Sequence, residues 1–316
     1  MPTTISVNEI FNDVLAAFRP EVPELSAFTQ DFSSNTAVLG DKITAKISHV
    51  PVTGAYDVNT GFKGAAQDAT TLIEDVPVVL NMMPVVTIRL SLLTRLASRV
   101  DLYKAAIANF AYGLGKKVVD TVLNQTLTNV SNVLTMLPFS ATLDSFDTGL
   151  RNQCNAQKMA AQTRWAIINT PLAAALGSDD RVRSELFYGQ KNGEQGIRVW
   201  RNIAGFQWVR EYSDIFGGVN SIGGVVGDHR LAVVAVRKIQ DMNDIVSQLG
   251  IPKVMEFYPL TDKESGLEVT GVAWQESGTG DMFISATLLF GTGVGNQGGA
   301  AGTMTDNAGL LLKVTP

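Results

Sequence analysis

The feature that most limits how this chain can fold is a pair of strand patterns separated by a long polar tip. Ile43, Ala45 and Ile47 alternate with Lys42, Thr44, Lys46 and Ser48, the period-two spacing of a half-buried strand. The segment Thr53–Ala69, rich in Gly, Asn, Asp and Thr, follows, and a second β-rich run spans Thr70 to Leu80. Ordinary hairpin loops hold ~2–5 residues, so these strands bound an unusually long, projecting ribbon. A lone two-stranded ribbon is marginal in water. Its missing contacts are therefore expected on another molecule.

The N-terminal segment poses the same problem. Val7, Ile10, Phe11, Val14, Leu15 and Phe18 recur at helical spacing, with Ser6 as N-cap and Glu9 three residues on. Arg19-Pro20 ends the pattern. An isolated helix this short is unstable in water, so it too must dock. The longest helical pattern, Ser98–Asn129, carries Val100, Tyr103, Ile107, Phe110, Leu114 and Val118 on one stripe. About 28 helical residues within it, at ~1.5 Å each, predict a helix roughly 42 Å long. Gly113 and Gly115 each cost ~1 kcal/mol there relative to Ala and point to a bend or a close backbone contact.

From Asp144 the pattern turns α/β. A helix is expected over Asp144–Ala161 with Phe146, Leu150 and Cys154 on one face, then a buried strand at Trp165–Asn169. Thr170-Pro171 should cap a helix to Leu176, with Pro at the first helical position. Ile203–Val209 and Leu231–Val236 read as strands and Asp241–Leu249 as a short helix. Leu267–Gln275 and Met282–Phe290 alternate around a polar turn, as a hairpin does. Gly291–Gly302 reads as a flexible connector to a last apolar strand at Leu310–Leu312.

Chemistry-bearing motifs are thin. Gly293-Val294-Gly295-Asn296-Gln297-Gly298 fits G-x-G-x-x-G, but the βαβ unit that this fingerprint needs does not fit between it and Pro316. Gly115-Lys116-Lys117 lacks the earlier glycine and the hydroxyl residue of a P-loop. His49 and His229 are the only histidines, each isolated, and a histidine metal site would need both plus carboxylates. Cys154 is the only cysteine; on an apolar helix face it is read as inert core. No carboxylate pair stands out as an acid/base couple. No catalytic, cofactor-binding or metal residues are expected, and no cofactor.

The net charge of −5 comes with no Lys/Arg block, which argues against gripping nucleic acid through its phosphates but not against enclosing it. Only 17% of residues are charged, below the usual ~25%, as when surface is hidden against partners. The N-terminus lacks a signal peptide's pattern. The most apolar stretch, Asp75–Leu90, is interrupted by Pro77, Asn81 and Pro84 and falls short of the ~18 apolar residues of a membrane span. A soluble, cytoplasmic setting without membrane contact is expected.

The order of these parts resembles the major capsid (coat) proteins of tailed bacteriophages. So do three local phrases. Ile167-Ile168-Asn169-Thr170-Pro171 running into Ala173-Ala174-Ala175-Leu176 is similar to that family's strand, capping turn and helix. Ala204-Gly205-Phe206-Gln207-Trp208-Val209 resembles the strand after its central turn, and Val226-Gly227-Asp228-His229-Arg230-Leu231-Ala232 the phrase leading back into its sheet. The resemblance implies an α+β fold with an N-terminal arm (1–39) and an extended E-loop hairpin (40–82). It further implies a peripheral domain (83–140 and 236–290) with a long spine helix, and an axial domain (141–235 and 291–316).

A structural rather than enzymatic role follows from the same likeness. Copies would build pentamers and hexamers of an icosahedral shell around double-stranded DNA, without specific DNA binding. Separate scaffolding, portal or decoration proteins are possible partners. With the E-loop opening near residue 40, no long N-terminal scaffolding segment is expected. Phe11, Phe18, Tyr56, Phe62 and Lys63 are the candidate inter-subunit contacts. Lys63 lies where some relatives crosslink, but neither its Asn partner nor a catalytic carboxylate can be matched, so no crosslink is expected. The alternatives are an encapsulin-like nanocompartment shell, which shares the fold, and a soluble α/β enzyme of unknown reaction.

Overall fold

The computed structural model describes residues 23–48, 56, 58–59, 72–90, 100–130, 133–136, 145–157, 159–179, 199–203, 205–212, 222–239, 255–261, 267–275, 281–295 and 308–314. Strands β1 (Thr29–Ala37), β2 (Lys42–Ser48), β3 (Ile73–Val79) and β4 (Val85–Leu90) precede the long helix α1 (Val100–Asn129). Then come β5 (Val133–Met136), α2 (Arg151–Ala156), β6 (Trp165–Ile168) and α3 (Thr170–Ser178). Strands β7 (Val199–Ile203), β8 (Phe206–Glu211), β9 (Ile222–Gly227) and β10 (Ala232–Ile239) follow. The last strands are β11 (Met255–Thr261), β12 (Glu268–Gln275), β13 (Met282–Thr287), β14 (Leu289–Val294) and β15 (Gly309–Val314). The class is α+β, as expected.

The strands form four sheets, ordered β5-β15-β9-β6-β8-β7, β11-β12-β13-β4, β1-β10-β14 and β2-β3. In the six-stranded sheet β6 is parallel to β8 and antiparallel to β9, and β15 lies between β5 and β9. Its two faces are both covered. Trp165, Ile167, Val225 and Leu311 join the core under α1, with Leu114, Val118, Val122 and Leu123. Ala166, Ile168, Val226, Leu310 and Leu312 pack against Leu150, Cys154, Leu172 and Leu176 from the α2 and α3 side. Strands buried on both faces read as unbroken apolar runs rather than alternation, which is why Trp165–Ile168 is short and wholly apolar. Trp165 anchors the first core, edge-on to Phe28 (centroids 5.4 Å apart) and stacked on Trp208 (5.9 Å).

The helix α1 runs over 30 residues, and of the predicted stripe Leu114 and Val118 are buried. A methyl group at Gly113 would meet Val86 at an ordinary 3.5 Å, so close packing does not demand that glycine.

Several boundaries differ from expectation, each for a local reason. The helix predicted to reach Ala161 ends at Ala156 after a π-helical turn, Ser145–Leu150. Beyond it the Ala160 amide donates to the buried Asp228 carboxylate (3.0 Å) instead of a helical carbonyl. The cap of α3 is Asn169, one residue before the predicted Thr170-Pro171; its side chain accepts from the Leu172 amide at 3.1 Å. Ile203–Val209 is not one strand: β7 ends at Ile203, which pairs directly with Phe206 at the start of β8, so the chain reverses between them. Gly205, at φ +79°, supplies the left-handed conformation such a turn requires. Met282–Phe290 likewise divides at Leu288, so that β13 stays in the four-stranded sheet while β14 pairs with β10. The predicted helices Val7–Phe18 and Asp241–Leu249 lie outside the described residues.

Candidate assembly interface

Lys42–Ser48 and Ile73–Val79 pair as the expected antiparallel ribbon, from Lys42↔Val79 to Ser48↔Ile73. Gly40 and Asp41 open it. The Gly40 amide donates to the Leu80 carbonyl (2.7 Å) and the Leu80 amide to the Asp41 carbonyl (2.9 Å). The Asp41 carboxylate takes the Val38 amide at 2.7 Å. These bonds clamp the base of the ribbon to the end of β1.

One expectation needs correction. The described stem does not wait for a neighbour to cover it. Ala45, Ile47, Val76 and Val78 are buried against Val233, Ala235, Ile239 and Leu289 of the same chain. Burying a Val or Ile side chain contributes about 1.5–3 kcal/mol, so the stem is anchored before any partner arrives. Alternation explains the rest: Lys42, Thr44, Lys46, Asp75, Pro77 and Val79 point outward. Lys46 stands directly opposite Asp75, an opposite-charge pair that supports the register. Pro77 is tolerated because each strand of a two-stranded ribbon is an edge.

The tip behaves differently. Tyr56 is 63% exposed and Val58 86%. Of the five candidate contact residues, Tyr56 alone is described; Phe11, Phe18, Phe62 and Lys63 lie outside the described residues. Val58 was not singled out in sequence, although an apolar residue between Asp57 and Asn59 was the available signal.

Two buried polar clusters hold the body to which the ribbon is fixed. Glu24 and Arg210 are an ion pair (Oε1 to Nε 2.7 Å), each almost fully buried, and the Tyr212 hydroxyl donates to the Asp120 carboxylate. The segment Pro23–Ala27, helix α1 and the end of strand β8 thus meet at one point. Burial pushes the Glu24 carboxyl above its ordinary value more than Arg210 lowers it, with Asp120 adding to the rise. Burial and the bond to Asp120 push the Tyr212 phenol upward. In the second cluster Asp228 accepts from Arg230 Nη2 (2.6 Å) and from the Arg230 amide (2.9 Å). His229 between them bonds through Nδ1 to Thr163 (3.0 Å), while its carbonyl accepts from Thr29 (2.7 Å).

Cys154 is buried, and desolvation raises its thiol to about 11. It is a core residue. Among the described residues no group of three or more His, Cys, Asp or Glu side chains stands together as a metal site, and no described helix is long and apolar enough to cross a membrane.

No protein-family model matches the chain, and no curated protein matches it. Solved structures do. One is from Microbacterium phage Oxtober96, at 11% identity and TM-score 0.49, covering 92% of this chain and 90% of that one. The capsid of Ralstonia phage GP4 is similar at 10% identity and TM-score 0.48, over 92% of this chain and 88% of its own. The capsid of Cyanophage P-SCSP1u is similar at 12% identity and TM-score 0.47, over 92% and 86%.

Proposed function

We propose that this chain is the major capsid protein of a tailed phage, a structural subunit whose copies assemble into an icosahedral shell enclosing double-stranded DNA. The observation that carries the reading is the division of the ribbon. Its stem is seated on the body, while Tyr56 and Val58 at the tip remain exposed. Exposed Tyr56 and Val58 in an otherwise polar tip, on an anchored stem, suit a hairpin that lies over a neighbouring subunit. Under this reading the six-stranded sheet forms the axial domain, and α1 with the four-stranded sheet the peripheral domain. The N-terminal arm clips another copy, and the protein resides in the virion after assembly in the bacterial cytoplasm.

Deleting Thr53–Ala69 tests the proposal. The wild type should elute as megadalton particles, and particles from infected cells should carry nucleic-acid absorbance. The deletion should leave a folded subunit that forms none. Wild-type protein that stays a small oligomer at high concentration, or a deletion that still builds shells, would sink the reading; particles filled with protein instead of DNA would favour a nanocompartment.

A further inference from the structure

Gly291–Gly295, the stretch expected to be a flexible connector, is instead strand β14 and the residue that follows it, with three glycines in alternate positions. Leu289 packs with the ribbon residues, whereas Phe290 belongs to the core under α1. Thr292 shares the helix side and donates its hydroxyl to Gln125 Oε1 at 2.6 Å. Gly291, Gly293 and Gly295 face the other way, and all are buried.

What they face is the ribbon and the turn before β10. A methyl carbon at Gly291 would stand 2.3 Å from the Val79 carbonyl oxygen. At Gly293 it would stand 2.6 Å from Val76 Cγ1 and 3.0 Å from Val78 Cγ2, and at Gly295 2.2 Å from the Arg230 carbonyl oxygen and 2.8 Å from Ile47 Cδ1. Carbon atoms in good contact are ~3.5–4.0 Å apart, so none of these positions accepts a side chain as the ribbon now lies. The obstacle differs along the strand. At Gly291 and Gly295 the nearest atom is backbone, which cannot rotate away; at Gly293 it is side chain throughout, Val76 and Val78 of the ribbon and Val233 of β10 at 3.2 Å.

We infer that Gly291 and Gly293 are positioning residues: they set how deeply the ribbon stem seats on β14, and hence the direction in which the tip leaves the body. Because the stem rises ~3.3 Å per residue away from this seat, a small lift at β14 becomes a larger displacement at the tip. The inference rests on the assembly role proposed above, since a neighbour meets the tip only where the seat directs it.

The test compares G291A, G293A, V76A, G291A/V76A and G293A/V76A in the full chain. It measures amide hydrogen exchange on dissociated subunits and particle yield by light scattering. G291A and G293A should each lower protection of residues 42–48 and 73–79 by about tenfold or more while sparing β6 and β9, and should cut particle yield comparably. V76A removes the nearest methyl to a residue-293 side chain, the one at 2.6 Å, and leaves Val78 and Val233 at 3.0 and 3.2 Å. G293A should therefore cost about tenfold less in the V76A background than alone, whereas G291A, blocked by backbone, should gain nothing from V76A. Unchanged stem protection and yield in both glycine variants would overturn the inference, and so would a G293A defect that V76A leaves intact. If G293A alone precipitates, recovery of folded subunit in the double variant supports the seat and failure to recover overturns it. A wild type that forms no particles would refute the assembly role, while stem protection in the subunit would still decide the seat.

Discussion

The six-stranded sheet and the ribbon are both β structure, yet they are held in different ways. Trp165–Ile168 in β6 is buried on both faces, with one core beneath α1 and another beneath α2 and α3. The ribbon is buried on one face only, and the other presents Lys, Thr, Asp and Pro to solvent. Damage to the sheet is therefore damage to the whole subunit, whereas damage to the ribbon can stay local. Under the proposed assembly role this separation matters, because a change in the reaching part need not loosen the rest of the body.

Mutations can break or sharpen that contrast. The largest effect is expected from Asp228→Ala in the body. It leaves the buried Arg230 guanidinium without its carboxylate and the Ala160 amide without its acceptor, and breaking a buried pair costs about 3–5 kcal/mol. Thermal unfolding should shift as one cooperative transition. On the ribbon, Val78→Ala removes two buried methyl groups, worth about 2 kcal/mol. That loss should appear as faster exchange in the stem, with the global denaturant midpoint nearly unchanged; an equal fall in global stability would abolish the distinction.

A smaller change is expected from Asn169→Ala, which removes the cap of α3 at about 1 kcal/mol, and Asn169→Ser should recover most of it. The subtlest test is pH. Glu24 has a raised value in the folded state, so the native protein holds its proton more tightly than the unfolded chain. Its contribution is fullest below the ordinary value of 4.5 and is lost as pH rises through the folded value. The stability of wild type relative to Glu24→Gln should fall across that window, and a flat difference would show that burial does not raise the Glu24 carboxyl.

Much of this was legible in the residues, and the failures are instructive. The ribbon and α1 announced themselves because their alternation and stripe are local. β1 did not: Thr29–Ala37 has no apolar alternation, and it is a strand because β10 pairs with it in parallel from Thr29↔Val233 onward. The Arg237 guanidinium, bonded to the Asp31 carboxylate at 2.8 Å, reinforces that pairing. β4 was missed although Val86 and Ile88 alternate with Thr87 and Arg89, because the apolar stretch was weighed as a membrane span. The glycines of β14 misled for a different reason. In a sequence, glycine signals freedom; here it signals contact, and only the opposing ribbon shows which. Tyr56 follows only from the family resemblance, and nothing local could show that its stem would be seated.

The position of β15 carries a consequence for biosynthesis. It lies inside its sheet, between β5 and β9, two strands the ribosome delivers much earlier. Until residues 309–314 emerge, a nascent chain exposes both of those edges, and exposed edges invite pairing with other chains. Sheet closure thus waits for this strand, and a truncated chain lacking it should be an aggregation hazard rather than a slower-folding subunit.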